Sequence, residues 1–462
     1  MNDSVSRWLD RLSRQATRGT TYALAIPADV VSPVSLVAAY DGHLSLSFWQ
    51  APSRDGDAVF AIVGFGEARR LEAHGVDRAQ KVSRAGADLF RTLHREFVGG
   101  AESAPGPFVV GGLSFRPNVE TGPWTAFADA SFALPRWTYV RHGEKAWWWL
   151  CLEADDVLAE NEDIYEAFVL LNAALTNNRV VRPDHSSTSV RQFDVADRDA
   201  YCALVADAIA CIRTRATDKI VAVTSSHVAF DEPVDVRLVL SRLDQTYPDT
   251  TRFGIQRGEW TFVGASPERL VARLGRRVDC DGLAGTARRG VGVNDGTLVE
   301  GLLSSSKDRR EHAFVVESIV AELGPLCSRL DVPDEPAVRT LRNVHHLWTP
   351  IRGVLQDELH VLDLVDRLHP TPAVAGTPRG RATAWIAEHE PVSRGWYTGA
   401  VGYFDAAGDG EFAVAIRAGL VGKTDAYLYA GAGIVEASDP RAEYAETRAK
   451  EAPMLAALGI AL

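Results

Sequence analysis

The chain has 462 residues, room for about three units of ~150 residues, and its 46% hydrophobic, 24% charged and 8% aromatic content is that of a core-forming protein, which excludes disordered and collagen-like classes. Asp and Glu outnumber Lys and Arg by 61 to 49, and the formal charge of −12 repels polyanions, so neither nucleic acid nor a membrane is expected as a partner. The same charge repels a small anionic substrate unless its site supplies local cations or a metal ion.

From the start, Met1 to Arg18 is polar with no signal-peptide core, and no uncharged apolar run approaches the ~18 residues of a bilayer span, so a cytoplasmic protein is expected. The first ~180 residues alternate short apolar runs with turn signals. Tyr22–Ile26, Leu44–Trp49, Val59–Val63, Phe108–Phe115, Trp137–Val140 and Trp147–Leu152 are bounded by Gly, Pro or Asp, which predicts strands of an antiparallel sheet. The polar stretch from Asn177 to Asp199 predicts a surface connection. Tyr201, Leu204, Val205, Ala208, Ile209 and Ile212 then repeat at helical spacing, and the helix leads into an apolar strand at Lys219–Val223. A strong helix is predicted from Ser305 to Leu323: Ser305 and Asp308 can form a capping box, Val315, Val316, Ile319, Val320 and Leu323 form an apolar stripe, and Gly324-Pro325 stops it. A second closes the chain, with Asp439 as N-cap, Pro440 at the first position, and Pro453 expected to kink or divide it before Leu458. The five cysteines (Cys151, Cys202, Cys211, Cys280, Cys327) include no Cys-x-x-Cys pair and read as buried thiols rather than a disulfide framework or zinc ribbon.

The two strong helices carry the most informative chemistry. Asp308 and Glu311 share one helix face, as do Glu443 and Glu446, with Lys450 four residues on. Two such faces could form an oxygen site of the kind Mg²⁺ prefers, although a helix cap and a surface ion pair account for the same spacing. Gly431-Ala-Gly433 could bring backbone N–H groups to an anion, but it lacks the third glycine of a dinucleotide fingerprint, as do Gly290-Val-Gly292 and Gly64-Phe-Gly66. Gly264-Ala-Ser266-Pro-Glu268 fails as a nucleophile elbow because Glu268 stands where glycine is needed and Pro267 removes a donor. What remains is a carboxyl after a Ser-Pro turn, able to act as a general acid if buried. His345-His346 in an apolar segment reads by default as core histidines, and Lys219 as a snorkelling lysine that could serve as a base only if buried.

The order of several segments along the chain is more specific than any one of them. Gly264-Ala-Ser-Pro-Glu268, Leu283-Ala-Gly-Thr286, Lys307-Asp-Arg-Arg-Glu-His312, His369-Pro-Thr-Pro-Ala373, Gly399-Ala-Val-Gly402 and Gly431-Ala-Gly-Ile-Val435 through Glu446-Thr-Arg-Ala-Lys450 resemble the chorismate-utilising enzymes. That family includes isochorismate synthase, salicylate synthase, anthranilate synthase component I and aminodeoxychorismate synthase component I. The resemblance covers residues 200–460, the motif-bearing catalytic half. Residues 1–180 match loosely, through Gly111-Gly112-Leu-Ser-Phe115 and Leu134-Pro-Arg136. It implies one chorismate-binding domain over residues 1–462, of mixed α+β class, with two packed antiparallel β-sheets and helices on the outside.

By the same resemblance, Mg²⁺ is the cofactor, with Glu311 and Glu446 as principal ligands and Asp308 and Glu443 nearby. Arg417, Tyr397, Lys450, His346, Ala373 and the backbone of Gly285, Thr286, Gly431 and Gly433 are implied to line or hold the substrate, chorismate. In relatives that add water a lysine matching Lys219 is the base, so the implied activity is an isomerase: Lys219 activates water for ring carbon 2 while Glu268 protonates the departing carbon-4 hydroxyl, giving isochorismate. An ordinary lysine, at ~10.4, is a poor base at pH 7, so this role requires burial, Arg417 or Mg²⁺ beside it. Many salicylate synthases carry threonine where this chain has Ala373, which argues for a reaction that stops at isochorismate. A monomer without a glutaminase subunit is expected. Relatives usually have arginine five residues after the lysine, where this chain has Thr224, so its strand is expected to be supported differently.

Overall fold

The computed structural model describes residues 2–40, 44–52, 59–117, 122–159, 188–290, 294–342 and 344–460, with a few residues between 164 and 173. Helices and a large, almost wholly antiparallel sheet system make it a mixed α+β structure. Each of the six apolar runs of the first half carries a strand, as their alternation predicts, although Leu44–Trp49, Val59–Val63 and Phe108–Phe115 extend one or two residues beyond theirs.

The strand Ala130–His142 is the branch point of the sheet system. Along its whole length it pairs with Phe60–Ala73. Its C-terminal part also pairs with Lys145–Glu153, and its first residues with Val109–Leu113. One arm runs from Phe60–Ala73 through Leu46–Ala51, Thr251–Arg257, Trp260–Ser266, Ala418–Val421 and Asp425–Ile434 to Lys219–Phe230. The other runs from Val109–Leu113 through Ala400–Phe404, Gly410–Val414, Arg269–Leu274 and Arg277–Arg288 to Val344–Leu355. Thr21–Ala28 with Leu93–Phe97 is a parallel pair at the margin. Each arm therefore begins with strands of the first half and continues with strands of the second, and neither is built without both.

The period-2 alternation of strands decides where the cores sit. Ala23, Ala25, Trp147, Trp149 and Cys151 face the core between the two arms, which also holds Val110, Phe262, Val401, Phe412 and Leu420. Their neighbours Leu24, Ile26, Trp148, Leu150 and Leu152 face the opposite way, under the outer helices. There the helix Asn2–Gln15 buries Val5, Trp8, Leu9 and Leu12, an i, i+3, i+4, i+7 stripe within a segment that reads as merely polar. Arg78–Arg91 is a further helix of the first half. A third core packs the helix Arg198–Arg213 on Lys219–Phe230 through Tyr201, Leu204, Val205, Ala208, Ile209 and Ile212, the residues its periodicity singles out.

Several local expectations need correction. The strand Val190–Asp194 lies inside the supposed connection, paired with Lys219–Phe230, because its backbone completes an open edge despite polar side chains; residues 177–187 lie outside the described residues. The helix Ser306–Leu323 is capped from one side only, Asp308 N donating to Ser305 Oγ at 3.2 Å. Pro453 does not divide the closing helix, which is continuous over Pro440–Ala457 and carries the expected Asp439 cap. All five cysteines are free, but Cys202 and Cys211 are only partly buried. Among the described residues no helix is long and apolar enough to cross a membrane.

Candidate active site

A cavity of about 260 Å³ lies between the helices Ser306–Leu323 and Pro440–Ala457 and the ends of strands from both arms. Its wall brings together Glu268, Gly285, Thr286, Asp308, Glu311, His346, Ala373, Arg417, Gly433, Glu443, Glu446 and Lys450 from segments spread over 183 positions, Glu268 to Lys450. A second chamber of about 360 Å³ adjoins it, sharing Pro267, Thr286, Arg417, Glu446 and Lys450. The remainder of that chamber is mainly apolar, with Tyr247, Leu341, Val344, Ala442 and Ala445.

Two glycines make this geometry possible. Gly285, at φ +76°, is the extra residue where the ladder between Arg277–Arg288 and Val344–Leu355 shifts register, a bulge that turns the strand toward the helix bearing Asp308. A β-carbon there would stand 3.1 Å from that of Asp308 in a left-handed conformation. Gly433 faces Lys219 across the sheet. A β-carbon on it would lie 2.8 Å from both Glu311 Oε1 and Lys219 Cε, so glycine leaves the space in which those two side chains meet.

Lys219 does not snorkel. Its side chain is fully buried just behind the wall, and Nζ donates to Glu311 Oε1 at 2.8 Å. Glu268 is also buried, 3% exposed, rather than solvated at its turn. Burial, and next the negative charge of Asp281, push its carboxyl from an ordinary 4.5 to about 8, against the opposing pull of Lys219 and Arg417. The residue is therefore an acid that keeps its proton at neutral pH. Ser266 Oγ donates to Val414 O at 2.6 Å and accepts from Glu268 N, so it shapes the turn and is no nucleophile.

The four helix carboxylates line one cavity but do not cluster tightly. Among the described residues no three His, Cys, Asp or Glu side chains converge as a metal-holding group. Three of the four face lysines instead: Glu311 faces Lys219, Glu446 faces Lys450 at 2.6 Å, and Glu443 faces Lys307 at 3.7 Å. Lys450 holds Glu446 below the usual carboxylate range, whereas burial raises Glu443.

The cationic and polar side of the wall is equally specific. Arg417 sits at φ +52°, a conformation non-glycine residues rarely adopt, and turns its guanidinium into both chambers. Tyr397 is buried, stacked on Tyr429 at 5.3 Å, and is not part of the wall. Gly431 is likewise off the wall, its carbonyl accepting from Lys450 Nζ at 2.9 Å. His346 is not a satisfied core histidine: Nδ1 contacts Thr286 Oγ1 at 3.0 Å and Gly285 O at 3.3 Å, while the buried Nε2 has no protein partner. Burial lowers its pKa to about 3, so it is neutral and offers a hydrogen-bonding nitrogen at the cavity. His345 is the satisfied one, bonded to Thr340 Oγ1 and Asp295 Oδ1.

Lys307 and Ile416 also line the cavity and were not singled out from sequence, although Lys307 opens the Lys307-Asp-Arg-Arg-Glu-His312 segment. Arg448 reaches in from the closing helix, donates to Ser226 Oγ at 3.0 Å and pairs with the buried Glu451.

Comparison with known proteins agrees with this arrangement. A family model described as chorismate binding enzyme matches residues 7–459. An isochorismate synthase of Bacillus subtilis is 34% identical over 423 residues, 89% of this chain and 87% of that protein. The salicylate biosynthesis isochorismate synthase of Pseudomonas aeruginosa is 34% identical over 453 residues, 96% and 90% of the two chains. The solved menaquinone-specific isochorismate synthase of Escherichia coli superposes with a TM-score of 0.77 at 28% identity, covering 98% of each chain. Anthranilate synthase component I of Streptococcus pneumoniae, at 22% identity and a TM-score of 0.64, shares the fold. With the family model spanning the catalytic cavity and nearly all of both sheet arms, the chain belongs to the chorismate-binding enzyme family.

Proposed function

We propose that this protein is an isochorismate synthase, an isomerase that converts chorismate to isochorismate. The observation that carries the reading is the presence of a buried lysine, Lys219, just behind the wall of a cavity lined by a buried carboxyl, Glu268, that stays protonated to about pH 8. Water addition with loss of a hydroxyl needs such a pair: one group to take a proton and one to give one.

Chorismate carries two carboxylates. Arg417, Lys450 and Lys307 supply the local cations that an acidic chain needs to hold it, Thr286 and His346 offer neutral hydrogen-bonding groups, and the adjoining apolar chamber suits the non-polar part of the molecule. The carboxylates of Asp308, Glu311, Glu443 and Glu446 are hard oxygen donors suited to Mg²⁺, which takes one or two of them and completes its shell with water. Glu311 and Glu446 would hold the ion, with Asp308 and Glu443 nearby, and when bound it supplies positive charge for a substrate carboxylate.

In the reaction, Lys219 Nζ, released from Glu311 and having first given a proton to solvent, takes a proton from water as that water bonds to ring carbon 2. Both ring double bonds shift and the carbon-4 hydroxyl departs with the proton of Glu268, so water enters and water leaves. Exchange with solvent then returns a proton to Glu268 and removes one from Lys219. Ala373 presents a methyl to the cavity and no hydrogen bond that would reorient the product for pyruvate elimination. The chemistry uses no ammonia and so needs no glutaminase subunit; the proposal further takes the enzyme as a cytoplasmic monomer of one domain, residues 1–462.

Incubation with chorismate and Mg²⁺, followed by NMR of the product, tests the reading. Isochorismate without pyruvate is expected. Salicylate with pyruvate would make the chain a salicylate synthase, and absence of turnover would leave it a binding protein.

A further inference from the structure

The strand that carries Lys219 has an incomplete outer edge. On one side Lys219–Phe230 pairs continuously with Asp425–Ile434. On the other, Gly376–Thr377 covers Lys219 and Ile220, Ala375 O takes the N–H of Val221, and Val190–Asp194 resumes only at His227. Between them lies backbone that a missing strand would have satisfied.

Two side chains fill the first part of that gap, at Val221 and Val223. Arg394 NH2 donates to Val221 O at 2.8 Å, and Glu390 Oε2 accepts from Val223 N at 3.0 Å. Around Ala222 these are the donor and the acceptor that one residue of a parallel neighbouring strand would offer. The two are joined to each other by paired contacts of 2.6 Å, and their side chains are 3% and 2% exposed. Arg394 also donates to Val374 O at 2.8 Å and Thr398 Oγ1 at 3.3 Å, and its guanidinium lies 4.2 Å from the ring centre of Phe115. One ion pair thus joins the strand of Lys219, the residue following Ala373 and the residue following Tyr397.

A buried ion pair is a poor way to add stability, since an apolar pair of similar volume is often as good or better. We infer that Glu390 and Arg394 are positioning residues, a side-chain surrogate for a strand, which fix Lys219 relative to the loop of Ala373 and so set the geometry of proton transfer to Lys219. This deepens the isochorismate synthase reading and rests on it. Glu390 and Arg394 are i,i+4 partners, each followed by a helix breaker, Pro391 and Gly395, a pattern present in the sequence but silent about where the two side chains point.

The test compares Glu390→Gln, Arg394→Lys and the double variant Glu390→Met/Arg394→Met with the unmodified enzyme. The expected result is a folded protein whose kcat falls on the order of 10–100-fold, the scale of a misplaced catalytic group, with KM changed less than about threefold because Arg417, Lys450 and Thr286 are untouched. Amide exchange at Val223 should be slow in the unmodified enzyme and faster in each variant. Folded variants with near-normal kcat would overturn the inference, as would rapid exchange at Val223 in the unmodified enzyme. Failure of the conservative Glu390→Gln chain to fold would also overturn it, placing the pair in core stability. If the unmodified enzyme makes no isochorismate, the functional reading fails first, and Val223 exchange still reports whether the surrogate edge exists.

Discussion

The two halves of the chain contribute to one sheet system but not to one chemistry. Every residue on the catalytic wall comes from the second half, between Pro267 and Lys450. Among the described residues the first half reaches the site from behind: Trp124 Nε1 donates to Tyr429 Oη at 2.9 Å, Tyr429 stacks on Tyr397, and Phe115 lies against Arg394. The motif-bearing half therefore holds substrate-facing groups, whereas the loosely matched half holds the groups behind them in place. Variants in the two halves should fail differently, and the following expectations are ways to break that contrast.

The largest effect belongs to the carboxylate wall. Glu311→Gln or Glu446→Gln should take turnover of chorismate below detection, and EDTA should do the same to the unmodified enzyme, reversibly on adding Mg²⁺. Full activity in EDTA would remove the metal from the account. Next come the base and acid: Lys219→Ala and Glu268→Gln should each lower kcat by about 10²–10⁴-fold with circular dichroism unchanged. A Lys219→Ala enzyme of near-normal rate would show that water is activated elsewhere.

Glu268 also sets a pH dependence. It must carry its proton to donate it, and burial holds that proton to about pH 8, so kcat should fall as pH rises through that value. Asp281→Asn, which removes a neighbouring negative charge, should move this descent to lower pH. The folded protein binds the proton more tightly than the unfolded chain, whose carboxyl titrates near 4.5, so the native state loses stability as pH climbs from there to about 8. Glu268→Gln lacks that loss, and its melting temperature relative to the unmodified protein should rise across the same window.

Smaller effects separate product choice from support. Ala373→Thr should add measurable pyruvate, detected with lactate dehydrogenase, because a new hydroxyl at the cavity can reorient the bound product. A uniformly slower enzyme with no pyruvate would mean that Ala373 only packs. In the first half, Trp124→Phe should cost about 1–3 kcal/mol of stability through the lost hydrogen bond and volume, and change kcat less than about tenfold. A catalytic defect there as deep as that of Lys219→Ala would erase the contrast between the halves.

Sequence patterns expose what is local. Alternation in Trp147–Leu152 and the helical stripe of Tyr201 to Ile212 are set by neighbours in the chain, and both appear where expected. The ordered motifs identify Glu268, Thr286, Glu311 and Lys450 as wall residues because each occurs within a distinctive short segment. Long-range partnerships are silent: nothing near Lys219 announces Glu311, nothing near Tyr397 announces that it is buried off the cavity wall, and the edge that Val190–Asp194 completes is created by a strand further on. The amphipathic Asn2–Gln15 reads as polar because four buried side chains are diluted among charged ones.

The most direct test of the central claim is conversion of chorismate in water enriched in ¹⁸O, with the product resolved by mass spectrometry and NMR. Addition of water activated at Lys219, with departure of the carbon-4 hydroxyl through Glu268, predicts isochorismate carrying one ¹⁸O at the carbon-2 hydroxyl and no accompanying pyruvate. Unlabelled isochorismate would contradict the proposed roles of both residues, and labelled salicylate with pyruvate would contradict the proposed product.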